Sequence, residues 1–478
     1  MNLEIILVRT VLVLTAALSV GISLWGGYYL LTGLMSWRRP MDYGRHPAGT
    51  RFAVLIAARN EELVIGPLIN SLLEQEYPAE LYDIYVIPNN CTDNTALAAR
   101  QFGAEVLECT VPVRSKGEVL RFAEEQLSGR HYDAFCVFDA DNVVDRCFLK
   151  EMNNAYRAGA RAAQGYRDSK NPYDSAISGC YSIYYWMMDR FHNQGKAGLG
   201  LSAMINGTGF MVAASTLKKL GGWRTETISE DLEMTAQCVL ADVQVAWVPL
   251  AVTYDEQPLT YRESVKQRRR WSSGTIQVAR QYLPRTGRQM TAAPRGALLD
   301  IGMTMLIPAY QLVAVVNTLA AAAAAGLSGR PFTFAAGAFC GAILLNVGLT
   351  AVFATLSGAL VLTVERKWDR RLWKSLLVYW LFLLSWLPIT IGSFFKQTTV
   401  WEEIRHTRNV LPEPVLARKW LYMWKKEDRP CPWAVLSVCG KSPPAKSSGD
   451  RWAAPNRSQT QWIRFGTEEQ GSGRMSAR

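Results

Sequence analysis

Histidine and paired cysteine are scarce in this 478-residue chain: it has four histidines, and its nine cysteines are scattered with no C-x-x-C pair. That leaves little from which to build a zinc site. An odd, unpaired set of cysteines also argues for reduced thiols in a cytosol-facing body rather than a disulfide framework. Acidic residues are in deficit, 41 against 52 Lys and Arg, for a formal net charge of +11. Such a balance suits an anionic membrane face or an anionic substrate. Nucleic acid would fit the charge, but no nucleic-acid recognition module is visible, so it is not expected as a partner. There is no internal repeat.

Long apolar runs, in contrast, are plentiful. Val11 to Met35 carries no charged residue and can cross a hydrocarbon core of about 30 Å with tilt to spare. A cleaved secretory signal would be shorter and would not lead into Trp37-Arg38-Arg39. Positive charge is stronger after this run than before it, which predicts an uncleaved helix with its amino end outside. Ala297 to Leu327 and Phe332 to Val364, joined by Ser328-Gly329-Arg330, have basic residues on both outer flanks. They are expected to form a helical hairpin with both ends in the cytoplasm. The last run, Ser375 to Phe395, is interrupted by Pro388 and basic on both sides. This favours a kinked or re-entrant segment, shielded by other helices, over a simple crossing.

Between the first run and the hairpin, short apolar strands alternate with helical patterns. Phe52–Ile56, Ile84–Ile87 and Ala134–Phe138 read as strands; Glu61–Glu74 and Thr95–Phe102 read as helices. The alternation predicts an α/β domain with a mostly parallel sheet and ligands at the carboxyl ends of its strands. The expected division is a transmembrane helix and linker over 1–50, a cytosolic domain over 51–283, an interfacial segment with further membrane helices over 284–412, and a basic, partly disordered tail over 413–478.

Three ordered motifs carry the chemistry. Asp139-Ala140-Asp141 leaves a buried strand; two carboxylates suit Mg²⁺ or Mn²⁺ on a diphosphate, or else form a polar loop end or the cap of a following helix. Ser229-Glu230-Asp231 opens an apolar-periodic stretch, as an acid-rich helix start would, and it also offers a base for a hydroxyl. Gln267-Arg268-Arg269-Arg270-Trp271 lies in a basic helix. Arg forks suit diphosphate oxygens and an indole face suits a sugar, while Lys266, Arg268 and Arg269 suit anionic headgroups.

Read in order, D-A-D, S-E-D and Q-R-R-R-W resemble the signature of membrane-bound inverting family-2 glycosyltransferases, such as the cellulose, hyaluronan, chitin and poly-N-acetylglucosamine synthases. The resemblance covers roughly residues 51–408 and implies a GT-A-like fold. It also implies metal contact by Asp141, a nucleotide-sugar-facing Asp139, and Asp231 as general base beside Glu230. Gln267, Arg270 and Trp271 are then substrate-binding, Lys116 is a phosphate-side contact, and the segment containing Ala58, Asn60 and Glu61 is the nucleotide-binding opening. Asn89 stands where these proteins normally present an aspartate to uracil, and an amide accepts a hydrogen bond without the charge. Tyr166–Pro172 and Asn206–Phe210 would line the acceptor sugar, and Trp401–Arg408 loosely matches an element that closes over the active site. The implied activity is transfer from a nucleotide sugar, UDP-linked, to a growing β-linked polysaccharide at the bacterial plasma membrane. A single transfer to a lipid acceptor and an impaired scaffold subunit are the alternatives. Membrane lipids are expected partners, and the sequence leaves the oligomeric state open.

Overall fold

The computed structural model of the protein describes residues 3–326 and 332–398. Trp401–Arg408 and the tail over 413–478 lie outside the described residues.

The sheet domain is built from β1 (Phe52–Ala58), β2 (Tyr82–Pro88), β3 (Glu105–Val106), β4 (Ala134–Asp139), β5 (Val143–Val144), β6 (Ala162–Ser169), β7 (Phe210–Ala213) and β8 (Val245–Asp255). In chain order the helices are α1 (Leu3–Met35), α2 (Ile65–Leu73), α3 (Thr95–Gln101), α4 (Lys116–Gln126), α5 (Phe148–Arg157), α6 (Ala176–Met187), α7 (Gln194–Gly198), α8 (Ala214–Leu220) and α9 (Glu230–Leu240). They continue with α10 (Tyr261–Ala292), α11 (Gly296–Met305), α12 (Ile307–Gly326), α13 (Phe332–Val364), α14 (Trp373–Leu384) and α15 (Trp386–Phe395).

The sheet order is β3-β2-β1-β4-β7-β6-β8-β5. β3, β2, β1 and β4 run parallel to one another, as do β6 and β8, while β7 lies antiparallel between β4 and β6 and β5 antiparallel beside β8. All seven residues of β1 are buried, as expected for a central strand covered on both faces. One apolar layer, including Ile65, Leu68, Phe148 and Met152, covers one face. The other includes Leu120, Tyr181, Trp186 and Trp223. The open ends of β1, β4, β6 and β8 therefore lie along one edge.

Two expectations for this domain need correction. The helix anticipated from Glu61 begins at Ile65, because Glu61 N donates to Thr95 Oγ1 at 2.9 Å and Glu62 N to Asp93 Oδ2 at 3.1 Å. These bonds tie the loop after β1 to the loop after β2. Asp141-Asn142 leads into the short strand β5 rather than capping a helix, and Asn142 Oδ1 accepts from Asp139 N at 3.2 Å.

Among the described residues, four stretches are long and apolar enough to cross a membrane: Val8–Met35, Ile307–Ala324, Phe339–Val364 and Arg370–Phe395. Val13, Leu24, Leu344 and Phe353, each about two-thirds exposed or more, form an outward apolar surface suited to lipid. The run expected from Ala297 to Leu327 is not one helix. Leu306 closes α11, its N–H donating to the Gly302 carbonyl at 3.1 Å, and Pro308 sits in the first turn of α12, where its missing N–H costs nothing. Leu298, Ile301 and Met305 of α11 instead join Leu232, Val278 and Tyr282 of α9 and α10.

The apolar helices are fastened to the sheet domain by polar contacts. Arg38 donates to the Gly198 carbonyl at 2.8 Å, and Lys196 pairs with Asp300 at 2.9 Å. Tyr166 donates to Glu365 at 3.0 Å, and Lys367 donates to Asp168 at 2.7 Å. The final apolar segment breaks at Ser385, between α14 and α15. Its start lies by Tyr173, under Arg371 at 3.6 Å, and its end returns to α10, where Thr398 N donates to Ser273 Oγ at 3.2 Å. At the break, Arg268 donates to the Phe382 carbonyl and the Ser385 hydroxyl, each at 2.8 Å. Arg268 is fully buried, so its expected place on a headgroup-facing surface is corrected; Lys266 and Arg269 are exposed. An always-charged guanidinium supplies the donors that a broken helix needs.

Candidate active site

Along the sheet edge, one polar cleft gathers Arg59 and Glu61 after β1, Asp139 and Asp141 at the end of β4, Arg167 from β6, and Asp255 and Glu256 at the end of β8. Lys116, Glu230, Asp231, Gln267, Arg270 and Trp271 complete it. Nine of the twelve sequence-derived site residues thus meet in one place. Ala58, Asn60 and Asn89 stand behind the cleft. Ala58 accepts from Asn89 Nδ2 at 2.9 Å, and Asn60 Oδ1 accepts from Thr92 N at 2.7 Å. Asn60 adopts a positive φ of 57°, a left-handed turn that asparagine tolerates.

Lys116 enters from the first turn of α4, which Ser115 caps by accepting from Glu118 N at 3.3 Å. Gly117 makes the entry close, since a Cβ there would overlap Thr225. The Lys116 ammonium donates to Asp139 and, at 2.6 Å, to the Gly207 carbonyl, and it lies 3.9 Å from Glu230. Burial alone would push the Asp139 carboxyl up; Lys116, with Arg167 and Arg270, holds it below its ordinary value. Burial pulls Lys116 down, but Asp139, Glu230 and Asp231 keep it above the usual lysine range.

Glu230 and Asp231 open α9, and Asp231 Oδ1 accepts from Leu232 N at 2.8 Å. Burial raises Asp231 against that bond and against Lys116, Arg167 and Arg270. Burial, with Asp231 and Asp139 nearby, pushes Glu230 up to about 7 despite Lys116. α10 brings Q-R-R-R-W to the same point. It begins with a reciprocal cap between Thr260 and Glu263. Gly274 lets it touch the S-E-D turn: a Cβ would overlap the Ser229 side chain and lie 2.9 Å from its backbone nitrogen. The Trp271 indole packs in an aromatic group with Tyr184 at 6.4 Å and Trp386 at 5.9 Å between ring centroids.

A second space lies directly beyond Asp231. Asp231, Asn206, Arg167 and Trp271 border both spaces, and the second runs on to Tyr29 of α1, Pro308 and Gln311 of α12, and Trp386 and Thr390 of α15. Sequence reasoning placed Arg167 in a polar loop that would line the acceptor sugar, whereas it lies on strand β6, and it missed Asp255 and Glu256. The Asp255 carboxylate accepts from Arg167 Nε at 2.7 Å, and burial, with Asp141 and Asp139 opposing Arg167, pushes it up to about 7. The available signal was an acid pair at the carboxyl end of a long strand, the same placement as D-A-D.

Among the described residues there is no cluster of three or more His, Cys, Asp or Glu able to cage a metal. Two carboxylates, Asp139 and Asp141, do face the cleft together. Mg²⁺ and Mn²⁺ at nucleotide sites are commonly held by one or two carboxylates plus the substrate phosphates, so this donor set fits.

With this geometry in place, residues 47–274 match the profile described as Glycosyltransferase like family 2. The segment is a family-2-like glycosyltransferase domain, and it falls on the sheet and the first turns of α10. The chain is 26% identical over 249 residues to the probable glycosyltransferase YdaM of Bacillus subtilis (strain 168), spanning 49% of this chain and 57% of that protein. It is 26% identical over 235 residues to the beta-monoglucosyldiacylglycerol synthase of Synechocystis sp. (strain ATCC 27184 / PCC 6803 / Kazusa), 47% of each. It is also 26% identical over 232 residues to the poly-beta-1,6-N-acetyl-D-glucosamine synthase of Staphylococcus epidermidis, 47% of this chain and 54% of that one. The chain thus spans about half the length of the relatives it matches. A mannosyltransferase from Pyrobaculum calidifontis, solved with GDP-Man and Mn²⁺, shares the fold, with a TM-score of 0.53 and 17% identity over 80% of this chain and 99% of that one.

Proposed function

We propose that this protein transfers a sugar from a nucleotide donor, UDP-linked, with inversion, and that it extends a β-linked polysaccharide at a bacterial plasma membrane with the sheet domain in the cytosol. The observation that carries this reading is the place of Asp231, at the junction between a polar, charge-lined cleft and an aromatic-lined cavity among α1, α12 and α15. Donor chemistry suits the first space and a growing acceptor suits the second.

In this scheme the donor diphosphate lies by Lys116 and Arg270, whose charges oppose those of its oxygens. A divalent cation held by Asp141 and Asp139, Mg²⁺ or Mn²⁺, would supply further charge neutralisation for the leaving diphosphate. Asp231 accepts the proton of the acceptor hydroxyl as its oxygen attacks the anomeric carbon from the face opposite the diphosphate, and the bond to the diphosphate breaks. No carboxylate nucleophile is needed. Trp271 offers its indole face to the acceptor ring, and Gln267 holds the donor side. The return of Thr398 to α10 supports a re-entrant final segment, with the polar break satisfied by Arg268.

A second reading, single transfer to a lipid acceptor, is favoured by the apolar part of the same cavity: Met188, Ile307 and Leu383. Incubation of the purified protein with a panel of radiolabelled UDP-sugars, with the products sized, tests both. A ladder of long glycan supports processive synthesis. A product carrying one sugar on extracted lipid supports the second reading and overturns the first.

A further inference from the structure

The end of the cleft farthest along the sheet from β8 has its own construction. Going along the edge from β8 through β6, β7 and β4 to β1, the lining changes from Asp255 and Arg167, past Asp139 and Asp141, to Arg59 and Glu61. If the diphosphate lies by Lys116 and the reacting sugar by Asp231, the nucleobase is left with the β1 end. This step rests on the donor reading above.

At that end Asn89 and Arg59 form one unit. Arg59 Nε and one terminal nitrogen donate to Asn89 Oδ1 at 3.1 and 2.9 Å. Asn89 Nδ2 donates to the Ala58 carbonyl at 2.9 Å. Asn89 is 1% exposed and does not border the cleft, whereas Arg59 does. The amide therefore braces the guanidinium instead of meeting the ligand. The platform beneath is also fixed: Asn60, at positive φ, accepts from Thr92 N, and Glu61 N donates to Thr95 Oγ1. A guanidinium has only donors to offer. It suits the ring carbonyl oxygens of uracil, or O6 and N7 of guanine, and opposes the exocyclic amino groups that cytosine and adenine present in the same places.

We propose that Arg59, held in place by Asn89, selects the donor nucleobase, and that the site takes a nucleoside diphosphate with a keto base, uracil or guanine, over one with an amino base. Asn89 is the positioning residue and Arg59 the reader. Hydrogen bonding of this kind discriminates by about tenfold or more per good pair.

The test is competitive binding of UDP, GDP, CDP and ADP, each with Mn²⁺, to the whole detergent-solubilised protein. Wild type is expected to bind UDP or GDP at least about tenfold more tightly than CDP and ADP. The UDP and GDP arms decide which keto base is preferred. Arg59→Ala, and Arg59→Gln as a second variant that retains bulk, should bring all four within about threefold, mainly by weakening the keto nucleotides. Asn89→Ala, outside the cleft, should lower the UDP-to-CDP or GDP-to-ADP ratio without abolishing binding, which a merely structural role would not do. Equal binding of all four by wild type, or unchanged discrimination in both Arg59 variants with retained thermal midpoints, overturns the proposal and leaves the donor reading standing. Failure of wild type to bind any of the four overturns the donor reading and this proposal with it.

Discussion

Replacing Asp231 by Asn probes the reaction most finely because it changes so little else. The amide keeps the volume, and its carbonyl can still accept from Leu232 N, as the carboxylate does at 2.8 Å. Lys116 and Arg270, the neighbours proposed to hold the donor, are untouched. What goes is the ability to take a proton. Loss of a general base costs about 10²–10⁴-fold in rate, equivalent to about 3–5 kcal/mol of barrier, with nucleotide-sugar affinity changed little. A pH profile sharpens the test. Burial raises Asp231, and only its ionised form accepts a proton, so wild-type turnover should fall as pH drops through a value above the ordinary aspartate range. In Asp231→Asn that acid limb should vanish from the residual rate. Glu230 titrates about 7. If Asp231→Asn retains near wild-type turnover with an acid limb near that value, Asp231 is not the base and Glu230 takes the role.

Asp141→Ala should remove the Mn²⁺-dependent part of UDP binding as well as turnover; equal metal-dependent titrations of variant and wild type would refute its metal role. Gly274→Ala drives a methyl into Ser229, so a loss of about 1–3 kcal/mol should appear in the thermal midpoint together with reduced turnover, and an unchanged midpoint would deny the close contact. Arg268→Ala strips the Phe382 carbonyl and Ser385 hydroxyl of their donor and should cost about 1–3 kcal/mol in the same melting assay; Arg268→Lys at wild-type stability would show that the fork is not needed. Lys396→Cys should resist a membrane-impermeant thiol reagent in sealed cells and react once the membrane is opened, whereas rapid labelling in sealed cells would mean that the last segment crosses.

The parts legible in sequence were those with a local cause. A run such as Phe52–Ala58 has one stable fate, a buried strand, and D-A-D, S-E-D and Q-R-R-R-W are demanded by charge and hydrogen-bond chemistry at their own positions. Features that depend on tertiary neighbours were not legible. Arg167 and Asp255 lie 88 positions apart and meet only because β6 and β8 pair in parallel. Arg268 has the composition of a surface charge, but the break between α14 and α15 surrounds it with backbone acceptors. The Ala297–Leu327 run is apolar on average, with Asp300 its one charged residue, so hydropathy hid the division at Leu306 that assigns α11 to the sheet domain. Asn89 was placed at the right strand end, but its side chain faces Arg59, a contact set by the paths of two loops rather than by either sequence.

The central claim is inverting transfer from a nucleotide sugar, and following the anomeric configuration during turnover tests it most directly. The purified protein, supplied with Mn²⁺ and the UDP-sugar that its product assay selects, would be monitored by proton NMR while UDP release is recorded in parallel. The account predicts a new β-linkage from an α-linked donor, with one UDP released for each linkage formed and both signals lost in Asp231→Asn. An α-linked product, or linkage formation without release of UDP, would contradict it.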